Sequence, residues 1–271
     1  MEGWPMLPIQ LMNKKKFVIG MVHFPACPGF TLYDDNKGIQ WILERVRNDL
    51  IALQENGIDA VMFCNENDRP YSFQADFATV AVMSRVIGEL QSSIRVPFGV
   101  DVLWDAKAAL AIAKATGASF IREVVTGVYA SDMGLWNTNV GELFKYRKLI
   151  EANNVAIFFN IMAEFAYSLD RRPIEFVAKS VVFSSMADAV LVSGPMTGQP
   201  PEVETVKKVK EVITDVPVIV NTGVREDNVQ ELLSIADGVI VGTGLKRDGI
   251  TWNPVDPERV RRFMRKVETL R

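Results

Sequence analysis

Pro217–Lys246, PVIVNTGVREDNVQELLSIADGVIVGTGLK, holds two strand signals around one helix signal. PVIVN is a short apolar run rich in β-branched residues, as expected of a strand buried on both faces. Thr222-Gly223 closes it, and Val229, Leu232, Leu233 and Ile235 then recur at near-helical spacing. Asp237-Gly-Val-Ile-Val begins a second buried strand, which ends at Gly242-Thr243-Gly244. Small residues at the carboxyl ends of two parallel strands leave backbone N–H groups unshielded, the physical basis of an anion cradle. In a (β/α)8 barrel the loops after strands seven and eight are the usual phosphate site, so six earlier units must precede this stretch.

The rest of the chain supplies them. Phe17–His23 reads as the first strand, followed by a loop and an amphipathic helix over 39–56 that Gly57 stops. Strand two is Ile58–Phe63, helix two spans 75–90, and strand three spans 96–103. An alanine-rich helix over 105–116 leads to strand four at 119–125. A long loop through Gly127, Asp132 and Gly134 precedes the helix over 140–152, and strand five is Val155–Asn160. A helix over 173–185, strand six at 188–193 and a helix over 202–213 complete the series. The last helix, 255–270, has Asp256 as its cap and Pro257 at its first position. Eight strand-then-helix units without a linker predict a single (β/α)8 TIM barrel over 1–271, with a short N-terminal arm to about residue 16. A doubly wound open sheet is the alternative, and it would need fewer strands and a topological switch point.

Composition narrows the function classes. A net charge of −3 and a pI near 5.4 give no basic surface for nucleic acid. No apolar run approaches a membrane span. Cys27 and Cys64 lie far apart and outside any metal-binding spacing, so a reduced cytoplasmic protein is expected. Apolar residues of the arm (Trp4, Met6, Leu7) would cover the barrel bottom or join subunits of a homo-oligomer.

Active sites of this fold form at the carboxyl ends of the strands. His23, Asn65, Asp68, Asp101, Asp105, Arg122, Glu123, Asn160, Glu164, Ser193 and Asn221 all fall there. Buried polar groups need partners, either each other or a ligand. The expected catalytic set is His23 with Asp101 as acid/base pair, Asp68 and Glu164 as support or metal ligands, and Arg122 as a carboxylate or phosphate clamp. An internal salt bridge of Arg122 to Glu123 or Asp101 is the competing role. Asp68 and Asp101 could share a proton or a hard cation, Mg2+ or Mn2+, although no HxH, HExxH or DxD spacing calls for a metal. No other cofactor is indicated. The expected phosphate site is Gly194, Thr197, Thr222, Gly223, Gly242, Thr243 and Gly244. Cys64 reads as a buried structural thiol.

The segments VIGMVHFPACPG, FIREVVTGVYASDMG, ADAVLVSGPMTGQPP and SIADGVIVGTGLKRDGITWNPVDPERVRRFM together resemble the BtpA/SgcQ family from about Phe17 to Met264. The resemblance implies a TIM barrel with a phosphate-type pocket at the last two loops, similar to that of phosphoribosylanthranilate isomerase. It implies no settled reaction: members are tied to photosystem I accumulation or lie near sugar-metabolism genes. Where the family pattern after strand two has Glu-Asn-x-Gly-Asp-x-Pro, this chain has Cys64-Asn65-Glu66-Asn67-Asp68-Arg69-Pro70. A family Asn is Asp101 here, an Arg-Asn pair contracts to Trp104, an Asp is Asn160, and a Lys-His pair is Glu164-Phe165. Intact phosphate loops beside an altered polar ring imply a different substrate or binding without turnover.

The resulting expectation is a barrel that binds a small phosphorylated metabolite, a sugar or nucleoside phosphate, and acts on it by proton transfer as isomerase, lyase or glycosidic hydrolase. A non-catalytic assembly factor that keeps the pocket for ligand sensing is the competing class. An enzyme similar to phosphoribosylanthranilate isomerase is the third.

Overall fold

The computed structural model describes residue 11 and residues 13–271. Trp4, Met6 and Leu7 lie outside the described residues. Leu11, from the same arm, is buried in the interior cluster that also holds Phe17 and Ile19.

The order opens with β1 (Phe17–His23), α1 (Gly38–Gln54), β2 (Ala60–Cys64), α2 (Phe77–Leu90), β3 (Phe98–Asp101), α3 (Ala106–Thr116) and β4 (Phe120–Glu123). A hairpin of β5 (Val128–Ser131) and β6 (Gly134–Asn137) precedes α4 (Val140–Leu149) and β7 (Ala156–Asn160). A short β8 (Ala166–Ser168) leads to α5 (Ile174–Ser185) and β9 (Ala189–Ser193). Then come α6 (Val203–Val212), β10 (Val218–Asn221), α7 (Val229–Ile235), β11 (Gly238–Val241) and α8 (Pro257–Glu268). Strands β1, β2, β3, β4, β7, β9, β10 and β11 pair in parallel, and β11 returns to β1 through Phe17↔Gly238 to Gly20↔Val241. That last pairing closes the barrel and removes the open-sheet alternative. No described helix is long and apolar enough to cross a membrane.

Local chemistry explains the boundaries. The Asp105 carboxylate accepts from the Lys107 and Ala108 amides at the start of α3, and Gly117 ends that helix in the left-handed region. Asp256 caps α8 in the same way, with Pro257 in its first turn. The barrel interior is filled by side chains that alternate along each strand. Phe120 and Phe158 stack with ring centroids 4.7 Å apart, and a Cβ on Gly99 would lie 2.2 Å from the Phe120 ring, so only glycine leaves that ring its place. At the amino-terminal foot, Asp59, Asp188 and Asp237 each precede a strand. Each accepts an amide from the start of a neighbouring one: Val18 at 2.8 Å, Ile157 at 2.9 Å and Val218 at 2.8 Å.

The segment expected as a long loop through Gly127, Asp132 and Gly134 is instead a small antiparallel sheet, in the order β6-β5-β8. Its inward residues Tyr129 and Trp136 are buried, while Leu135 and Tyr167 face outward. Trp136 packs on Trp104 at 5.0 Å and Phe73 at 5.6 Å, and Tyr71 meets Trp104 and Phe165. Aromatic burial gives this sheet its stability. It covers the mouth above β3, β4 and β7, so the open part of the mouth lies over β9, β10, β11 and β1.

Candidate active site

Register assembles the mouth. His23 pairs with Cys64, Cys64 with Asp101, and Asn221 with Ser193, so the last inward positions of successive strands form one polar layer. Arg122 spans part of it, donating to Asp101 at 2.7 Å and to Glu164. Glu164 also accepts from Asn221 Nδ2 at 2.9 Å, Asn221 donates to Ser193 Oγ at 3.0 Å, and Ser193 donates to Asn160 Oδ1 at 2.7 Å. Glu123, one residue on from Arg122, accepts from the Val102 amide at 2.9 Å.

Above this layer is a cavity of about 50 Å³, the size of one small ionic group. Thr197, Thr222, Gly223, Gly242, Thr243 and Gly244 line it, as do Gly198 and Arg225, which the sequence did not single out. His23, Glu66, Arg122 and Glu164 line its inner side. Thr222 adopts φ 64°, a costly conformation for a β-branched residue, and its hydroxyl accepts from the Gly194 amide at 2.7 Å. Gly223 has φ 60°, and a Cβ there would lie 2.0 Å from Pro200 N. The loop after β10 is thus pressed against the loop after β9, and glycine is required at the contact. Gly194 stands behind the cradle: it secures Thr222 and does not line the cavity.

Glu66 is the residue that sequence reasoning missed. It is buried, Oε1 accepts from Thr197 Oγ1 at 3.2 Å, and Oε2 lies 3.7 Å from Cys64 Sγ and 4.0 Å from His23 Nε2. Burial, then the charges of Glu164 and Asp101, push its carboxyl up to about 7. His23 is held well below its usual value by burial and by the Lys246 ammonium, so it is neutral at neutral pH. Burial and neighbouring Asp101 raise the Cys64 thiol far above its usual value. Since Glu66 binds its proton more tightly folded than unfolded (~4.3), its neutral form stabilises the fold fully below the unfolded value. That contribution is lost as pH rises through about 7. Relative to Glu66→Gln, the wild type should therefore lose about 3 kcal/mol between pH ~4.5 and ~8 in urea denaturation. Parallel pH profiles for the two proteins would refute the shift.

Three expectations change. Asp68 does not join the mouth: its carboxylate accepts from the Cys27 amide at 2.7 Å, Thr79 Oγ1 at 2.9 Å and Asn65 Nδ2 at 3.2 Å, locking the loop after β2. Asp101 is committed to Arg122 and does not line the cavity, so His23 faces Glu66 in place of the expected pairing with Asp101. Arg122 lines the cavity, but both ends of its fork already hold carboxylates, which favours the internal salt bridge over a free clamp. A cation shared by Asp68 and Asp101 does not fit these donor sets. Among the described residues no group of three or more His, Cys, Asp or Glu side chains is placed to hold a metal ion.

The family model for the BtpA family matches residues 14–269. SgcQ, an sgc region protein of Escherichia coli, is 47% identical over 262 residues, covering 97% of this chain and 98% of that protein. The photosystem I biogenesis protein BtpA of Synechocystis is 35% identical over 250 residues, covering 91% of this chain and 86% of that protein. Among solved structures, phosphoribosyl anthranilate isomerase from Thermus thermophilus aligns over 94% of this chain and 100% of its own, with a TM-score of 0.57 and 11% identity. That likeness concerns the fold alone. With closed barrel, mouth and relatives in agreement, the chain belongs to the BtpA family.

Proposed function

We propose that the mouth cavity binds the phosphate of a small phosphorylated metabolite, a sugar or nucleoside phosphate, and that the protein acts on it by proton transfer. The observation that carries this reading is the convergence of three loops, through Thr197-Gly198, Thr222-Gly223 and Gly242–Gly244, on one cavity that also holds a buried carboxyl pushed up to about 7. Amides and hydroxyls from such turns recognise phosphate without needing a lysine. Isomerase, lyase and glycosidic hydrolase chemistry all fit a buried acid beside such a cradle.

A thermal-shift panel of sugar and nucleoside phosphates, with and without Mg2+ or Mn2+, tests it. A ligand at 100 times its Kd adds about 2.7 kcal/mol, which raises the Tm of a chain this size by roughly 5 °C. Thr243→Glu, which puts a carboxylate into the cradle without a backbone clash, should abolish the shift. No shift from any phosphate would remove this reading.

A second reading is supported by the outer face of α5, where Phe176 is 56% and Phe183 91% exposed, and by the relative named as a photosystem I biogenesis protein. In it the barrel docks on another protein and the cavity serves ligand sensing. Unchanged partner capture by Phe183→Ser in a pull-down would dismiss that face.

A further inference from the structure

Three carboxyls lie in or beside the cavity, and one differs from the rest. Asp101 and Glu164 both hold Arg122. Glu66 has no lysine or arginine among the described residues within 4.0 Å, and its neighbours are a threonine hydroxyl, a thiol and an imidazole. The cations that line the cavity are Arg122, which two carboxylates already hold, and Arg225. Lys246, two residues past Gly244, turns away onto Asp49 at 2.8 Å, with both side chains 1% exposed. Arg225 stands at the rim, 45% exposed, beside Asp227. A phosphate seated there would place its negative charge in the same small cavity as Glu66. Like charges in a desolvated site repel strongly enough that one is neutralised by a proton.

We propose that Glu66 takes up a proton as a phosphorylated ligand settles in the cradle, and then donates it to an oxygen of that ligand. The inference rests on the phosphate reading above and narrows it: the chemistry opens with an acid rather than a base. The substrate class is a phosphorylated compound whose first step is protonation of a leaving-group or carbonyl oxygen. In that step the Glu66 O–H bond breaks as the ligand oxygen gains the proton. The carboxylate left behind regains its proton from solvent as the next phosphorylated ligand settles, so Glu66 gains one proton and gives up one in each turn.

The other groups facing Glu66 do not take this part. From β1, His23 is neutral and buried, with Nδ1 unpartnered among the described residues. From β3 and β4, Asp101 and Arg122 neutralise each other, and Glu164 from the loop after β7 shares the same guanidinium. On its own side, Cys64 and Tyr71, whose hydroxyl donates to the Glu66 carbonyl, are both held protonated by burial. Glu66 is the carboxyl in the cavity that no lysine or arginine engages among the described residues, and with its pKa raised to about 7 a nearby charge can change its state.

Isothermal titration calorimetry with inorganic phosphate near pH ~8, in two buffers of different ionisation heat, reads the protons taken up per phosphate bound. The wild type should take up about 0.5–0.9 proton more than Glu66→Gln, whose amide cannot titrate, while both bind phosphate. Equal uptake with binding intact overturns the acid assignment and leaves the cradle standing. Absence of binding by both proteins overturns the phosphate reading, and this proposal with it. Should Glu66→Gln fail to fold, the wild type alone decides by infrared difference spectroscopy on adding phosphate. Growth of a protonated-carboxyl band supports the proposal, and its absence at saturating phosphate overturns it.

Discussion

Replacing Asp49 by alanine should lower the unfolding free energy by about 3–5 kcal/mol, because it leaves a buried ammonium without its partner. Asp49 lies on α1, is 1% exposed, and accepts from Lys246 Nζ at 2.8 Å and from the Val255 amide at 2.9 Å. Its carboxylate therefore fastens the segment that follows the β11 glycine turn to the first helix. Burial already lowers the Lys246 pKa, and Asp49 is the largest influence opposing that. Without Asp49 the folded protein would hold this proton still more weakly than the unfolded chain does. The deficit should then be greatest at low pH and ease as pH rises through the depressed value. Chemical denaturation at several pH values checks both size and slope. A loss under about 1 kcal/mol would mean that the segment re-forms around an exposed lysine.

Arg122→Leu should cost a similar amount, about 3–5 kcal/mol at neutral pH, with the opposite pH sense. The guanidinium holds Asp101 and Glu164, both buried. Burial raises the pKa of each, and Arg122 is the first influence pulling it back. With the guanidinium gone, both carboxyls prefer to be neutral in the fold. Native protein then binds more protons than unfolded chain, so the deficit is full above the raised folded values and shrinks as pH falls through them. Denaturation at pH ~8 and ~5 should show that shrinkage. An equal deficit at both would contradict the ion triad as the source of the loss.

The barrel was legible because its strands, buried on both faces, are uninterrupted apolar runs such as Ala189–Ser193 and Val218–Asn221, and because Asp105, Gly117, Asp256 and Pro257 carry local capping chemistry. The hairpin was not. Val128–Asn137 buries Tyr129 and Trp136 but leaves Leu135 exposed beside Ala130 and Asn137, and two glycines disguise that period as a loop. The glycine-rich turns that line the cavity were legible as glycine chemistry, except that Gly194 supports Thr222 from behind.

Glu66 could not be found by local reading. Its stretch, Cys64–Tyr71, offers two acidic residues, Glu66 two residues and Asp68 four residues past the strand end, and sequence reasoning took Asp68. Contacts from distant elements choose between them. The Cys27 amide and Thr79 draw Asp68 outward, whereas Thr197, far along the chain, draws Glu66 to the cavity. Glu66, two residues past Cys64, brings its carboxyl to within 3.7 Å of that sulfur.

The foot aspartates act on the mouth from the opposite end of the barrel. A slip of one residue would exchange everything a strand shows the cavity for everything it shows the helices. Asp59, Asp188 and Asp237 grip their neighbours' amides in only one phase, so they index each strand much as a key indexes a shaft. From Asp59 to Cys64 that indexing reaches roughly 16 Å. A substitution at the foot can therefore scramble the polar layer without touching any ligand, and lost activity in such a variant speaks to strand phase, not to chemistry at the residue replaced.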